Sequence, residues 1–284
     1  MKSFLMKSYR SNIRALYAVM KKELLVYSRY RQYMFFAIVS PLFTCLGATA
    51  MYWMFTGPSR SSPTLFETFT GTDNYAAFVF LGFLVVFYFN HTVWRVSYGV
   101  RSEQEQGTLE SNFLCPTRPV LLILGKALAF AILSSFSAAI IFLLGWSAVD
   151  LYFEIANASF IPMTLILVFV TSFGFGLFIS GVVMLYRQVD SIVSFFVMLQ
   201  YTFCGYDFAL AAVPSWIRNI SYLLPATWGV EALRGILIYG LDTVSILKLI
   251  LTLAGFACLY LFLGFFFLVR LERTVKRRGG LGAY

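Results

Sequence analysis

The sequence predicts an all-α polytopic membrane protein with six transmembrane helices, and three observations carry that expectation. Hydrophobic residues fill 60% of the 284 positions and charged residues only 12%, where a soluble domain carries roughly 25% charged residues. Runs without a single formal charge recur at 32–59, 74–94, 127–149, 155–186 and 249–269, and about 20 apolar residues suffice to cross the hydrocarbon core. The 22 lysines and arginines, set against 13 acidic residues, collect in two terminal flanks. That distribution is a signature of membrane topology, not a footprint for nucleic acid.

The first element is an amphipathic helix over 11–31. Ile13, Leu16, Tyr17, Met20, Leu24 and Tyr27 recur at helical spacing, and Arg14, Lys21, Lys22 and Arg29 are placed to meet lipid phosphates and water. Beside a transmembrane start, this pattern reads as a helix lying in the inner interface; a soluble N-terminal helix is the plainer alternative. The spans follow at 34–56, 75–95, 120–148, 160–185, 190–211 and 245–270. The fifth is less clean than the others, because Asp207 lies near its far end.

Orientation comes from the bases. Lys2, Lys7, Arg10, Arg14, Lys21, Lys22, Arg29 and Arg31 face only Glu23 before the first span, and Arg270, Arg273, Lys276, Arg277 and Arg278 face only Glu272 after the last. Both termini are therefore expected in the cytoplasm of a multi-pass inner (plasma) membrane protein. Trp53, Trp94 and Trp146 fall near span ends, where an indole buries its ring and keeps its N–H wet.

Between the second and third spans lies RVSYGVRSEQEQGTLESNFLCPTRPV, the most polar internal stretch. Arg101 and Glu105 are four residues apart, and Glu103 and Glu110 share a helical face with Gly107 between them. Pro116 and Pro119 then end the helix. The expectation is a short acidic helix facing the cytoplasm, either a solvated loop or a surface for a partner that Gly107 lets approach closely.

The segment 214–237 holds Pro214, Trp216, Pro225, Trp228 and the i,i+3 pair Glu231 and Arg234. It is too polar for lipid and too apolar for a free loop. Two short re-entrant helices, about 214–222 and 227–237, are expected against the protein in the outer leaflet. Glu231 and Arg234 then either cap the mouth as a pair or contact cargo in an outer vestibule. Small residues four apart, Ser172, Gly176 and Ser180 in one span and Ala131, Ser135 and Ala139 in another, permit close helix packing within or between subunits.

Several function classes find no support. The spans carry almost no ionisable groups; His91, Lys126, Asp207 and Lys248 sit near span ends, whereas gradient-coupled transporters keep such groups on their pathway. No ring-forming carbonyl loop suggests an ion filter. No HExxH run and no Ser, His and carboxylate set suggests a hydrolase. Cys45, Cys115, Cys204 and Cys258 have no metal-ligand or disulfide-framework spacing, and the basic N-terminal stretch does not have the form of a signal peptide. The lone Gly125-Lys126 pair lacks the upstream glycine of GxxxxGK[ST]. An ATP-driven process would need its ATPase on another polypeptide.

The run EQEQGTLE at Glu103–Glu110, followed by Pro116 and LLILGK, and the later set Pro214, Trp216, Pro225 with Ala232-Leu233-Arg234, resemble the motifs of permease subunits of ABC-2 type ABC transporters. This exporter class shares a fold with the G-subfamily of eukaryotic ABC transporters, and the resemblance covers essentially the whole chain.

It implies a permease homodimer with cytoplasmic nucleotide-binding subunits that hold ATP and Mg, and no catalytic, cofactor or metal site in this chain. A coupling helix over 101–114 would meet the ATPase through Glu103, Glu105, Gly107, Thr108 and Glu110. The N-terminal helix would pass rigid-body motion to the first span, and cargo would move between the two copies along the second and fifth spans. Phe195, Tyr201, Phe203 and Tyr206, with Phe196, crowd the fifth span. Their rings suit a hydrophobic or amphiphilic drug or lipid, stack equally on a lipid-linked glycan, and also serve as ordinary membrane core. A membrane scaffold without transport is the reading of a different class.

Overall fold

The computed structural model describes residues 2–30, 64–70, 74–105, 119–148, 157–183 and 189–278, with isolated positions at 32, 35, 36, 39, 43, 54 and 72. Its helices, in chain order, are α1 (Lys2–Arg29), α2 (Thr64–Thr70), α3 (Tyr75–Glu105), α4 (Pro119–Ala148), α5 (Ile161–Val183), α6 (Val189–Phe203), α7 (Ser215–Leu223), α8 (Pro225–Leu237) and α9 (Thr243–Arg278). A 3-10 turn, Ala158–Phe160, leads into α5.

Local chemistry sets several boundaries. The Asn74 side-chain oxygen accepts the Ala77 N–H at 3.0 Å and caps α3. Pro225 opens α8, where its missing N–H costs nothing and its fixed φ is already helical. Hydroxyls inside the apolar helices are satisfied by their own backbone: Ser134 donates to the Phe130 carbonyl at 3.0 Å and Thr171 to the Leu167 carbonyl at 2.7 Å.

The six-span expectation is corrected. Among the described residues, four helices are long and apolar enough to cross a membrane: Tyr75–Gly99, Leu121–Leu144, Ala158–Val182 and Thr243–Arg270. The expected span at 34–56 lies outside the described residues, save for a few isolated positions. The expected span at 190–211 is instead the 15-residue α6, about 22 Å long at 1.5 Å per residue and short of the ~30 Å a crossing needs. It ends because Gly205 adopts φ +73, a left-handed turn that glycine tolerates without a Cβ clash.

The re-entrant pair expected over 214–237 is also corrected. Two helices are present there, but α8 is an internal packing element: ten of its residues, from Pro225 to Ile236, are buried. The companion α7 leaves Trp216 and Leu223 exposed. The separate coupling helix expected over 101–114 has no signature among the described residues. Residues 101–105 are the last turn of α3, and 106–114, with Gly107, Thr108 and Glu110, lie outside them.

Helix α3 is the central element. Its apolar window is 89% buried inside the protein, against 22% for that of α9. Phe80, Phe83, Leu84 and Phe87 pack on Ile141 of α4, while Val85, Phe89 and Val93 join Val168, Phe175 and Ile179 of α5 in the main core. Contact between α5 and α9 is closest at two facing glycines. A Cβ on Gly264 would stand 2.9 Å from the Gly174 carbonyl oxygen, and one on Gly174 would stand 2.8 Å from the Leu261 nitrogen. Small residues let the two backbones touch where lipid provides no hydrophobic drive to hold helices together.

These contacts gather the helix ends into two groups. Val96 of α3, Ala127 of α4, Leu177 of α5 and Leu268 of α9 form one cluster, beside which α1 meets α4 through Leu16 and Val19 at Gly125. At the opposite end, Phe78 and Gly82 of α3 meet Tyr206 and Arg234, and Asn157 donates to the Leu241 carbonyl at 2.8 Å. The base-rich N-terminal helix and the Arg270 end of α9 therefore share one end of the bundle, while Asp207, Glu231 and Asp242 occupy the other.

Candidate functional site

Tyr206, expected to line a path, and Arg234, expected in a vestibule, meet at the far end of α3. Arg234 of α8 is fully buried. Its Nε and Nη2 donate to the Phe78 carbonyl at 3.1 and 2.9 Å, its Nη1 donates to the Gly205 carbonyl at 2.8 Å, and Nη2 also reaches the Tyr206 carbonyl. The guanidinium lies 3.4 Å from the centroid of the Phe78 ring. Five donors in a planar fork suit this arrangement, in which three carbonyls from two segments converge on one cation. Gly82 makes the approach possible, since a Cβ there would fall 2.3 Å from the Tyr206 oxygen and 2.4 Å from Arg234 Nη2.

The pairing with Glu231 is looser. Its Oε1 stands 3.9 Å from Arg234 Nη1, and its side chain is 30% exposed. Burial pushes Arg234 down to about 10, which leaves it charged at neutral pH. Burial raises the Glu231 carboxyl, and Arg234 partly opposes that rise. Asp207, one residue beyond the stapled turn, is likewise raised by burial. Arg234 is thus a structural staple to backbone first and an ion-pair partner second.

A second arginine holds the same segment from its other end. Arg218 of α7 donates to the Leu210 carbonyl at 2.9 Å, the Ala211 carbonyl at 3.1 Å and the Val213 carbonyl at 3.2 Å. The stretch from Gly205 to Val213 is therefore clamped by two cations. Sequence reasoning missed Arg218; its place two residues after Trp216, on the polar side of a short amphipathic helix, was the available signal.

Of the aromatic set expected to line the path, Tyr201 of α6 and Tyr206, just beyond the Gly205 turn, pack edge to face with centroids 6.0 Å apart. Phe203 is half-buried. Phe195 points away from them: it is 59% exposed beside Met198 and contacts Phe196 edge-on at 5.5 Å. One face of α6 thus joins the core while another is free to meet lipid, cargo or a second copy. Sequence reasoning also missed Asn90 of α3 and Gln200 of α6, which are 2% and 1% exposed and whose amide atoms have no hydrogen-bond partner among the described residues. Buried amides of this kind mark polar character where α3 and α6 pack together.

Glu103 and Glu105 lie on the last turn of α3, at the opposite end from Arg234. Gly107, Thr108 and Glu110 lie outside the described residues. Among the described residues no group of three or more His, Cys, Asp or Glu side chains is placed to hold a metal ion.

Comparison with known proteins adds an independent finding. The family model described as "ABC-2 type transporter" matches residues 14–238. Over 129 residues the chain is 30% identical to the "Probable multidrug ABC transporter permease YbhR" of Escherichia coli strain K12, and equally to the protein of that name from Escherichia coli O157:H7. Each match covers 45% of this chain and 35% of the relative, so the chain spans about a third of the length of the curated relatives it matches.

Proposed function

From the premise that this chain belongs to the ABC-2 type transporter family, we propose that it is the membrane permease of an ATP-driven exporter that moves a hydrophobic or amphiphilic compound outward. ATP and Mg are held by a separate cytoplasmic nucleotide-binding subunit; the 284-residue sequence contains no GxxxxGK[ST] phosphate loop. Two copies of the permease form the path between them, and the exposed face of α6 around Phe195 and Met198 lines it.

One observation carries the reading. Helix α3 runs unbroken from Phe78, where Arg234 grips it, to the acidic turn at Glu103 and Glu105. The stretch from Phe78 to Glu105 corresponds to about 40 Å at 1.5 Å per residue, enough to link the two faces of a bilayer. A contact made by the ATPase on the segment Glu103–Glu110 is therefore delivered to the clamped turn by one rigid element. The word "multidrug" in the name of the E. coli relatives and the apolar, aromatic α6 face support a greasy cargo. The gathering of the basic N-terminal helix and the Arg270 end of α9 at the same end as Glu105 supports cytoplasmic termini.

The test is reconstitution in vesicles with the nucleotide-binding subunit, replacing Gly107 by tryptophan. Transport-linked ATP turnover is expected to drop to the uncoupled basal level while the subunits remain folded. Turnover at the parental level would remove the coupling role of Glu103–Glu110.

A further inference from the structure

A cluster of cationic side chains near the Glu105 end of the bundle has no part in the path just described. Arg95 of α3 donates from Nε to His91 Nε2 at 3.3 Å. Because that histidine nitrogen accepts, the ring proton sits on Nδ1, and the ring is locked by stacking on Phe87 with centroids 5.2 Å apart. His91 Nδ1 and Arg95 Nη1 are both buried, and among the described residues neither has an acceptor. Three N–H donors on one face of α3 therefore lack an oxygen, and one group that carries them is a guanidinium.

Two other helices complete the surroundings. Tyr27 of α1 offers its ring 5.4 Å from the Arg95 guanidinium carbon and packs edge to face on Phe130 of α4 at 5.9 Å. The Lys126 stem passes Gly99, one turn beyond Arg95, with its Cδ at 3.8 Å from the position of a Cβ there. On α1 the buried carboxylate of Glu23 pairs with Lys22 at 3.3 Å. Positive charge thus accumulates between three helices, and the hydrogen bonds that Arg95 and His91 make leave several donors over.

We infer that this cleft among Tyr27, His91, Arg95 and Lys126 binds the phosphate of an anionic phospholipid. A buried guanidinium nitrogen left without an acceptor is costly, and a phosphate offers several strong acceptor oxygens and a compensating charge. His91 and Arg95 are half-buried as residues while Nδ1 and Nη1 themselves are enclosed, so a headgroup reaches these donors by parting α1 from the α3–α4 pair. Arg95 sits within three turns and His91 within four turns of the end of α3, beside a helix rich in bases and toward the headgroups of one leaflet. The lipid would wedge between α1 and the α3–α4 pair and set how tightly the N-terminal helix is held. Assignment to the cytoplasmic leaflet rests on the topology proposed above; the binding itself does not.

The experiment is native mass spectrometry of the full-length chain in detergent, titrated in parallel with dioleoylphosphatidylglycerol, dioleoylphosphatidylcholine and inorganic phosphate. Selective retention of phosphatidylglycerol is expected, with binding weakened roughly tenfold in Arg95→Gln, as for loss of one charge-assisted hydrogen-bonded contact. Lys126→Gln should weaken it in the same direction, and Arg29→Gln, an exposed base on α1, should not. Equal retention of the two lipids, or an unchanged phosphatidylglycerol affinity in Arg95→Gln, overturns the site. Displacement of the lipid by equimolar inorganic phosphate assigns the cleft to a soluble anion and overturns the lipid. If Arg95→Gln does not fold, the parental lipid selectivity and Lys126→Gln decide. A detergent micelle has no inside or outside, so a wrong topology leaves these results intact and appears separately, as labelling of Lys22 from the external side of intact cells.

Discussion

Arg234 and Phe78 stand 156 residues apart in the chain, yet the guanidinium of one stacks on the ring of the other and donates twice to its carbonyl oxygen. Removing the guanidinium strands the carbonyls of Phe78, Gly205 and Tyr206 in a dry site. Arg234→Met is expected to cost about 3 kcal/mol, read as a lowered unfolding midpoint in detergent. Arg234→Lys keeps the charge but not the planar fork, and should recover less than half of that loss.

The second clamp predicts a local effect. Arg218→Gln removes bonds to the Leu210, Ala211 and Val213 carbonyls, so hydrogen exchange of the Ala209–Val213 amides should accelerate by about 1–3 kcal/mol of lost protection. The exchange of α3 amides should be unchanged. Acceleration spread over the whole bundle would mean that Arg218 supports the global fold rather than this turn.

Two glycines on α9 are expected to behave oppositely. Gly264 faces the Gly174 oxygen and the Leu177 Cβ at distances no side chain accepts, so Gly264→Val should force α5 and α9 apart at a cost of about 1–3 kcal/mol. At Gly255 an added Cβ meets nothing within 4 Å. Gly255→Ala should be neutral or stabilising by up to about 1 kcal/mol through helix propensity alone. Thermal midpoints of the two variants in one detergent check the contrast.

The charge-free runs at 74–94, 127–149, 155–186 and 249–269 follow the four long helices because hydropathy reports burial in lipid residue by residue, with no need of tertiary contacts. The segment after Asp190 is the instructive exception. Its residues are apolar enough for a span, but Gly205 turns the chain and Arg234 then holds that turn, and neither the φ angle nor a carbonyl partner 29 residues away is visible to a hydropathy window. The same limit applies to the Glu231 and Arg234 pair. Spacing of three residues suggested mutual satisfaction, while the carbonyls that bind Arg234 more closely belong to positions with no side-chain signature. Burial of α8 was hidden for a related reason: a proline, a tryptophan and a charged pair look like surface chemistry until three neighbouring helices cover them. The aromatic density of α6 was legible; its division into a core face at Tyr201 and an open face at Phe195 depends on packing.

The grip of Arg234 on Phe78 makes the far end of α3 a fulcrum. With the load point near Glu105 and an arm of about 40 Å, a lean of only about 5° swings the acidic turn by roughly 3.5 Å while hardly disturbing the fixed end. Run in reverse, a displacement of a few ångströms imposed at Glu105 arrives at the clamp as torque rather than translation, and the flanking helices would respond by rotation about that point.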